Sequence, residues 1–329
     1  MILILSDEND DSVRMVVPEL VKRGAEFLWW DPGGYPARTT MSSRLTGGSW
    51  RHTLRIDGRA YDCSRFTAIW NRHPTHSQAP EPVTDANHRK YVEKLATILL
   101  RGWEHTVESR WLPARTMDIL RTQNKLVNLG VAAGLGFATP DTLVTNDAEK
   151  LIPFWEETGG ELIAKEVEFV EFRIDGEDHS HYTTPVTRRR LTDRHRLALS
   201  PAILQRYVDK AIELRITVVG DRVFAAEIHS QGSRATRIDY RHYEQTFSTY
   251  AIHRLPRDVE ERCLRLTAAL GLHYGCIDMI VTPEGEYVYL EINPAGQWGW
   301  IETATGLPIA AAIADWLVAA DPVQVRTLP

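Results

Sequence analysis

The amino-acid sequence predicts a mixed protein, an α/β domain followed by α+β layers, and three observations indicate this class. The first is an opening unit of strand, helix and strand, at residues 2–5, 12–23 and 25–30. The second is a later series of strands joined by hairpin turns, which includes residues 276–282 and 287–293. The third is the length of 329 residues, which exceeds one ordinary core of about 100 to 150 residues. The sequence therefore predicts two or three packed subdomains.

Composition narrows the possible partners. Hydrophobic residues make up 43% and charged residues 25% of the chain, and no window approaches the roughly 18 uninterrupted apolar residues that span a bilayer. The net charge of −6 comes from interleaved acids and bases, which leaves no long basic tract for nucleic acid. Cys63, Cys263 and Cys276 form an odd set without metal-ligand spacing, which favours a reducing compartment. We therefore expect a cytoplasmic protein with neither a membrane nor a nucleic-acid partner.

The first predicted domain covers residues 1–117. After the opening unit it contains a hairpin, a strand that ends in Asn71-Arg72-His73-Pro74, and a helix with one apolar stripe, at residues 54–61, 67–70 and 87–104. An opening of this kind also suits a doubly wound nucleotide or dinucleotide binder. The absence of a glycine-rich phosphate fingerprint from the sequence weakens that alternative.

The rest of the chain is predicted to form a central lobe at residues 118–204 and a C-terminal lobe at residues 205–329. Its predicted helices are residues 118–134, 258–270 and 308–319. Its predicted strands are residues 162–165, 168–174, 181–186, 203–207, 213–219, 223–229, 276–282 and 287–293.

The most informative stretch for chemistry is the last predicted hairpin. Side chains alternate faces along a strand, so Glu291 and Asn293 point the same way, and antiparallel pairing brings Asp278 beside them. Two carboxylates and an amide carbonyl form the oxygen set that Mg²⁺ prefers. A solvated hairpin with incidental acids is the alternative, but the strongly apolar neighbours would make unpaired charge costly there.

Further residues accompany this hairpin: Lys125, Lys165, the strand at residues 204–208, and Glu213 and Arg215 on one face of the next strand. Together they resemble the ATP-grasp superfamily. The resemblance implies two α+β lobes that enclose ATP, two Mg²⁺ ions, and an N-terminal pre-ATP-grasp domain. It assigns Lys125 and Lys165 to the phosphate and adenine side of the nucleotide. It also makes Gln205, Arg206, Tyr207 and Val208 the hinge between the lobes, whose backbone groups would bind the adenine edge.

Glu213 and Arg215 share a strand face, so the resemblance implies that both side chains lie at the nucleotide. Arg215 would hold the γ-phosphate or an acyl phosphate, and Glu213 would orient a cation or the ribose. A surface cross-strand pair is the alternative interpretation.

Within the superfamily, several segments resemble the graspetide synthetases, which crosslink side chains of microviridin-type ribosomal peptides. These segments are residues 69–74, 181–184, 229–231, 239–241, 293–302 and 305–309. The resemblance implies a precursor peptide with leader and core, and a homodimer. It points to Arg241 as the ligand of the acceptor carboxylate, because a guanidinium binds a carboxylate bidentately. Residues 175–178 are predicted to form a hairpin turn between the strands at residues 168–174 and 181–186. The resemblance implies that this hairpin binds the leader peptide, through Val170, Glu171, Phe172, Arg173, Tyr182 and Thr183. One departure is that residues 166–174 contain no glycine, whereas many ATP-grasp ligases carry a glycine-rich loop there.

The implied reaction is phosphorylation of an Asp or Glu side chain of the peptide, then attack by a Thr, Ser or Lys side chain to give an ester or amide crosslink. Two alternatives stay open. The first is a ligase that adds free amino acids to a peptide or small acid, and the second is a nucleotide-binding regulatory protein with a degenerate site. The sequence does not choose between ester and amide, and it does not give the precursor.

Overall fold

The computed structural model describes residues 1–167, 183–229 and 249–319, together with the backbone of residues 172–174 and 177–179. The described strands are β1 (Ile2–Ser6), β2 (Phe27–Trp30), β3 (Thr39–Thr46), β4 (Ser49–Ile56), β5 (Arg59–Asp62), β6 (Ala68–His73), β7 (Arg110–Leu112), β8 (Thr142–Thr145), β9 (Leu162–Lys165), β10 (Phe172–Ile174), β11 (Glu177–His179), β12 (Thr184–Pro185), β13 (Ala202–Arg206), β14 (Ile212–Val219), β15 (Arg222–His229), β16 (Thr249–His253), β17 (Tyr274–Val281) and β18 (Tyr287–Asn293). The described helices are α1 (Asp11–Lys22), α2 (Ala86–Thr106), α3 (Thr116–Gln123), α4 (Lys125–Gly134), α5 (Leu151–Glu157), α6 (Arg188–Thr192), α7 (Arg257–Ala269), α8 (Gly299–Thr305) and α9 (Ile309–Val318).

The N-terminal domain is built on a parallel sheet in the order β2-β1-β6-β7, which confirms the predicted opening unit. Helix α1 starts where it does because the carboxylate of Asp10 accepts hydrogen bonds from the N–H groups of Ser12 and Val13. Helix α2 covers the sheet through Trp103, whose ring meets Trp30 and Trp111 edge to face. Because β1 and β6 are parallel neighbours, their carboxyl ends lie side by side, at the edge where Arg72 contacts the C-terminal lobe.

Two parts of this region differ from the prediction. The predicted hairpin at residues 54–61 is confirmed, but it belongs to a three-stranded sheet of β3, β4 and β5, whose first strand the prediction missed. The single helix predicted at residues 118–134 is wrong, since α3 and α4 are separate helices. The chain turns extended at Asn124, whose side chain accepts a hydrogen bond from the N–H of Leu126 and caps α4.

The central lobe has an antiparallel sheet in the order β12-β9-β13-β8 and a separate hairpin of β10 and β11. Strand β9 matches its predicted bounds, and β13 ends one residue before its predicted end. The prediction placed the partner strand of residues 168–174 at residues 181–186, and this is wrong. Phe172 pairs with His179 in the hairpin of β10 and β11, and Thr184 of β12 pairs with Ala164 of β9. Strand β8 and helix α5 were not predicted, because both segments are short and carry weak periodicity.

The C-terminal lobe is an antiparallel sheet in the order β16-β15-β14-β17-β18, and it has two apolar faces. One face packs on α1 and α9 through a core that includes Val16, Cys276 and Ile313. The other face packs on α4 and α7 through a core that includes Leu214, Met279 and Leu266. The sheet therefore joins the N-terminal domain to the rest of the chain. None of the helices among the described residues is long and apolar enough to cross a membrane.

Candidate active site

The two predicted acids of the last hairpin lie opposite one another. The register of β17 and β18 pairs Asp278 with Glu291 and Cys276 with Asn293, so the predicted pairing is confirmed. Directly opposed side chains have Cβ atoms about 5 Å apart. One metal ion can therefore reach both carboxylates. The assignment of Asp278, Glu291 and Asn293 as ligands stays a prediction.

A β-bulge at Leu290 gives Glu291 this position. The register moves from Asp278↔Glu291 to Met279↔Tyr289, which leaves Leu290 as an extra residue in β18. Tyr289 lies in the core that contains Met279, with no exposed surface. Strict alternation would place Tyr289 and Glu291 on the same face, so the bulge separates the core side chain from the site side chain. The sequence carries no signal for it.

Arg215 on β14 contacts the first of these acids. The register places it opposite Asp278, and its Nη1 donates to both carboxylate oxygens, at 2.8 and 3.1 Å. Its Nη2 donates to the carbonyl oxygen of Gln297 at 2.8 Å. The Arg215 side chain is 8% exposed and that of Asp278 is 19% exposed. This guanidinium is therefore held at a fixed place beside the predicted metal set.

Lys125 contacts the second acid from helix α4. The Asn124 cap makes Lys125 the first residue of α4, and its Nζ lies 3.1 Å from Oε2 of Glu291. The same Nζ donates to the carbonyl oxygen of Glu166 at 3.4 Å. Helix α4 is fixed against β18 because the hydroxyl of Tyr289 donates to Oδ1 of Asn128 at 3.2 Å. Burial raises the pKa of Tyr289, which keeps this hydroxyl protonated as a donor.

Lys165 and Gln205 form a second polar group on the central sheet. The Nζ of Lys165 donates to Oε1 of Gln205 at 2.9 Å, and Nε2 of Gln205 donates to Oγ1 of Thr142 at 2.9 Å. Gln205 is 2% exposed, so its amide fixes the direction of the lysine from within the sheet. Lys165 is the last residue of β9, and the next residue, Glu166, accepts the hydrogen bond from Lys125 through its carbonyl oxygen.

Two backbone N–H groups of the predicted hinge already donate hydrogen bonds within the protein. The N–H groups of Arg206 and Tyr207 donate to the carbonyl oxygens of Asp141 and Glu161, at 2.9 and 2.8 Å. The Arg206 side chain binds the Asp141 carboxylate at 2.8 Å. The assignment of Gln205, Arg206, Tyr207 and Val208 to adenine stays a prediction.

Glu213 lies on the same strand face as Arg215, as expected from its spacing. Its Oε1 is 2.9 Å from Nζ of Lys210, and both side chains are nearly buried. The lysine balances the carboxylate where solvent is largely excluded. Its predicted role beside a cation or ribose stays a prediction.

Several residues at this site were not predicted from the sequence. The loop at residues 294–297 follows Asn293, whose Oδ1 accepts a hydrogen bond from the N–H of Ala295. A Cβ at Gly296 would lie 2.5 Å from Cβ of Cys276 and 2.8 Å from Nη2 of Arg215, so this close approach requires glycine. The guanidinium of Arg72, from the N-terminal domain, contacts the carbonyl oxygens of Ala295 and Gly296.

The donor atoms present fit magnesium. Asp278 and Glu291 supply carboxylate oxygens and Asn293 supplies an amide oxygen, which is the hard-oxygen chemistry of Mg²⁺ sites completed by water and phosphates. Among the described residues there is no group of three or more His, Cys, Asp or Glu side chains that could hold a metal. The oxygen donors of Asp278, Glu291 and Asn293 do not match a zinc site, which takes nitrogen and sulfur ligands.

The other predicted residues lie partly outside the described chain. Arg241, Val170, Glu171 and Tyr182 fall outside the described residues. Phe172 and Arg173 are described by their backbone, as part of the hairpin of β10 and β11. Thr183 is half-buried directly before β12. The leader-binding assignment therefore stays a prediction.

Two family models match separate parts of the chain. Residues 1–117 match the MvdD pre-ATP grasp domain, and residues 188–317 match the RimK-like ATP-grasp domain. A search of curated proteins gave no match.

Solved structures match nearly the whole chain. A RiPP-associated ATP-grasp ligase of Chryseobacterium gregarium, in complex with ADP and a leader and core peptide, is 28% identical over 98% of this chain and 97% of its own, with a TM-score of 0.90. The macrocyclase MdnC of Microcystis aeruginosa MRC, bound with precursor peptide MdnA, is 26% identical over 96% of this chain and 98% of its own, with a TM-score of 0.84. The macrocyclase MdnB of the same organism is 27% identical over the same shares, with a TM-score of 0.79. The chain therefore combines a match to a pre-ATP-grasp domain with a match to an ATP-grasp domain, and over nearly its whole length it has the fold of the RiPP-associated ATP-grasp ligases, as its resemblance to the graspetide synthetases implied.

Proposed function

We propose that this ligase uses ATP to crosslink side chains within a ribosomally made precursor peptide. The observation that carries the proposal is the meeting of two carboxylates and two cations at one hairpin, Asp278 with Arg215 and Glu291 with Lys125. That arrangement suits a magnesium-bound triphosphate, because the acids hold the metal and the cations contact the phosphates. The similar structures with bound leader and core peptide, or with bound precursor peptide, support the choice of substrate.

The proposed reaction has two steps. An oxygen of an Asp or Glu side chain of the peptide attacks the γ-phosphorus of ATP, the bond to the β-phosphate oxygen breaks, and ADP and an acyl phosphate form. A Thr or Ser hydroxyl, or a Lys amine, then attacks the acyl carbon, loses its proton and expels phosphate. The product is an ester or amide ring.

The chain's own residues would act by position and charge. Bound Mg²⁺, for which we propose two ions at Asp278, Glu291 and Asn293, would neutralise the phosphate oxygens. Lys125 and Lys165 would bind the phosphates as point charges, and Arg215 would hold the transferred phosphoryl group through its fixed guanidinium. We assign Arg241 to the acceptor carboxylate. Fixed charges of this kind supply most of the acceleration in phosphoryl transfer.

We further propose a homodimer. Helix α2 carries an exposed apolar stripe of Tyr91, Leu95 and Ile98, of which Tyr91 is 63% exposed, and Met117 on α3 is exposed as well. Contiguous exposed apolar surface of this kind marks interaction sites. The net charge of −6 and the three buried, free cysteines support a cytoplasmic enzyme without a nucleic-acid or membrane partner.

The proposal is tested by incubating the purified protein with ATP, Mg²⁺ and the small peptide encoded beside its gene, and by measuring the intact mass of the product. We expect the loss of one water mass for each ring, and no loss with Asp278→Ala or Glu291→Ala. The matched control is Asp258→Ala on α7, where the acid pairs with Arg262 beside residues 285–287 at the start of β18 and not with Asp278 or Glu291. A gain of amino-acid mass would instead identify the ligase that adds free amino acids. Full ring formation by both hairpin variants would contradict the assigned site.

A further inference from the structure

A buried arginine from the N-terminal domain lies behind the candidate site. Arg72 is near the end of β6, and its side chain is 2% exposed. Its Nε lies 3.4 Å from Oδ2 of Asp10, whose side chain is 4% exposed, so the charge is compensated within the same domain. Of the two remaining nitrogens, Nη1 contacts the C-terminal lobe and Nη2 contacts Ser12 on α1. Arg72 thus joins the two domains through a fully enclosed contact.

The contacts of Arg72 converge on the loop that follows Asn293. Its Nη1 donates to the carbonyl oxygens of Ala295 and Gly296, the second at 3.4 Å. Its Nη2 donates at 3.1 Å to the hydroxyl of Ser12, and this hydroxyl donates at 2.9 Å to Oε1 of Gln297. Three consecutive residues of the loop are therefore held from the N-terminal domain.

The same loop contacts the residues assigned to metal and phosphate. The carbonyl oxygen of Gln297 accepts the hydrogen bond from Nη2 of Arg215, and the N–H of Ala295 donates to the side chain of Asn293. The hydroxyl of Tyr274 fixes Gly296 by donating to its carbonyl oxygen at 2.6 Å. Any shift of this loop would therefore move both Arg215 and Asn293.

We propose that Arg72 is a positioning residue for the magnesium-binding side of the site, acting through the loop at residues 294–297. The N-terminal domain thereby takes part in holding the metal and phosphate groups, although none of its residues is assigned as a ligand. This inference rests on the proposed function in one respect, that Asn293 and Arg215 serve a magnesium nucleotide. Groups that orient metal ligands typically change metal affinity roughly 10- to 100-fold when they are replaced.

A second interdomain arginine provides a matched control. Arg23, directly after α1, binds Asp315 on α9, with Nη2 at 2.7 Å from Oδ1, and it donates to the carbonyl oxygen of Ala311 at 3.3 Å. It therefore joins the same two parts of the chain, but it does not contact the loop. If Arg72 only held the domains together, replacing either arginine would have similar consequences.

The test compares Arg72→Lys with Arg23→Lys. Lysine keeps the charge beside Asp10 but lacks the planar fork that reaches Ser12, Ala295 and Gly296 together. The affinity for ADP is measured by titration calorimetry with and without Mg²⁺, and thermal unfolding is followed without ligand. For Arg72→Lys we expect the gain in ADP affinity from Mg²⁺ to fall roughly 10- to 100-fold. Its ADP affinity without Mg²⁺ should change less than about threefold, and Arg23→Lys should keep the full gain.

The outcomes separate this inference from the proposed function. If wild-type protein shows no gain in ADP affinity from Mg²⁺, the proposed function fails at its metal site. If wild type shows the gain and Arg72→Lys retains it, or loses no more than Arg23→Lys, the inference about Arg72 is wrong. Should Arg72→Lys fail to fold, Ser12→Ala combined with Gln297→Ala tests the connection through Nη2, because it removes the hydroxyl and amide that join Arg72 to Gln297. We expect that variant to lose part of the gain, and full retention would overturn the inference.

Discussion

The two ion pairs of the candidate site have the same charges but different construction. Arg215 and Asp278 occupy paired positions on adjacent strands, make two contacts of 2.8 and 3.1 Å, and are 8% and 19% exposed. Lys125 extends from the first turn of α4 to Glu291 on an edge strand, makes one contact of 3.1 Å, and both side chains are 22% exposed. The first pair is fixed by strand register, whereas the second depends on a flexible side chain. The sheet therefore provides a preorganised charge and the helix an adjustable one.

The difference suggests a division of work during catalysis. A guanidinium fixed by a neighbouring strand can be placed for the transition state, and such interactions raise kcat. A lysine on a flexible stem follows the phosphates in ground state and transition state alike, and uniform binding of that kind lowers KM. Each replacement below tests one side of this comparison, beginning with the largest expected effect.

Asp278→Asn removes a carboxylate that belongs to the fixed pair and to the predicted metal set. We expect crosslinking activity to fall more than about 100-fold, because even outer partners of metal ligands typically cost 10- to 100-fold. Initial rates of crosslinking at saturating ATP measure the effect. Asp258→Asn, at an acid that pairs with Arg262 on α7, is the control and should be close to wild type. Retention of more than a tenth of the activity by Asp278→Asn would contradict the metal assignment.

Arg215→Lys keeps the charge but loses the two-point contact with Asp278. We expect kcat to fall roughly 10- to 100-fold while the KM for ATP changes less than about threefold, because the lost interaction would act in the transition state. Steady-state kinetics separate the two constants. Arg222→Lys serves as control, because Arg222 at the start of β15 forms an exposed ion pair with Asp315 of α9. A rise in KM with unchanged kcat would show that Arg215 only binds substrate.

Lys125→Met removes the adjustable charge. We expect the KM for ATP to rise about tenfold and kcat to fall less than about threefold, as for loss of uniform binding. The same kinetic measurement applies, with Lys22→Met as the control because that lysine is 69% exposed and pairs with Glu19 of α1. A fall in kcat as large as that of Arg215→Lys would remove the distinction between the two pairs.

Tyr289→Phe tests the opposite face of the bulged strand and has the smallest expected effect. It removes the hydrogen bond of 3.2 Å to Asn128 in a fully buried position. We expect the free energy of unfolding to fall by about 1 kcal/mol, with activity within about twofold of wild type. Urea unfolding measures the change, and Tyr91→Phe at an exposed site is the control. Loss of activity without loss of stability would show that the two faces are not independent.

The sequence predicted the parts of this site that depend on local rules. Asp278 and Glu291 were placed together because strands alternate faces and hairpins pair their strands. Applied to Tyr289, the same rule would place it on the face of Glu291, and the bulge that separates the two side chains leaves no trace in the pattern of apolar residues. The sequence also predicted one helix across Asn124, because apolar spacing continued while the cap that interrupts it is a single side chain.

The fold was predicted more fully than the surroundings of the site. The opening unit, the strand β9 and the last hairpin follow from periodicity, and the structure confirms them. The role of Arg72 at the loop could not be predicted, because Arg72 and Gly296 are separated by 224 positions and meet only after two domains pack. Contacts of that kind depend on the tertiary arrangement and not on the neighbours of either residue in the chain.

The most direct test of the account is a crystal structure of the protein with Mg²⁺ and a non-hydrolysable ATP analogue. The account predicts metal ions with oxygens of Asp278, Glu291 and Asn293 at about 2.1 Å, and Lys125 and Arg215 in contact with the phosphates. A nucleotide bound away from this hairpin, or metal ions held without Asp278 and Glu291, would contradict it.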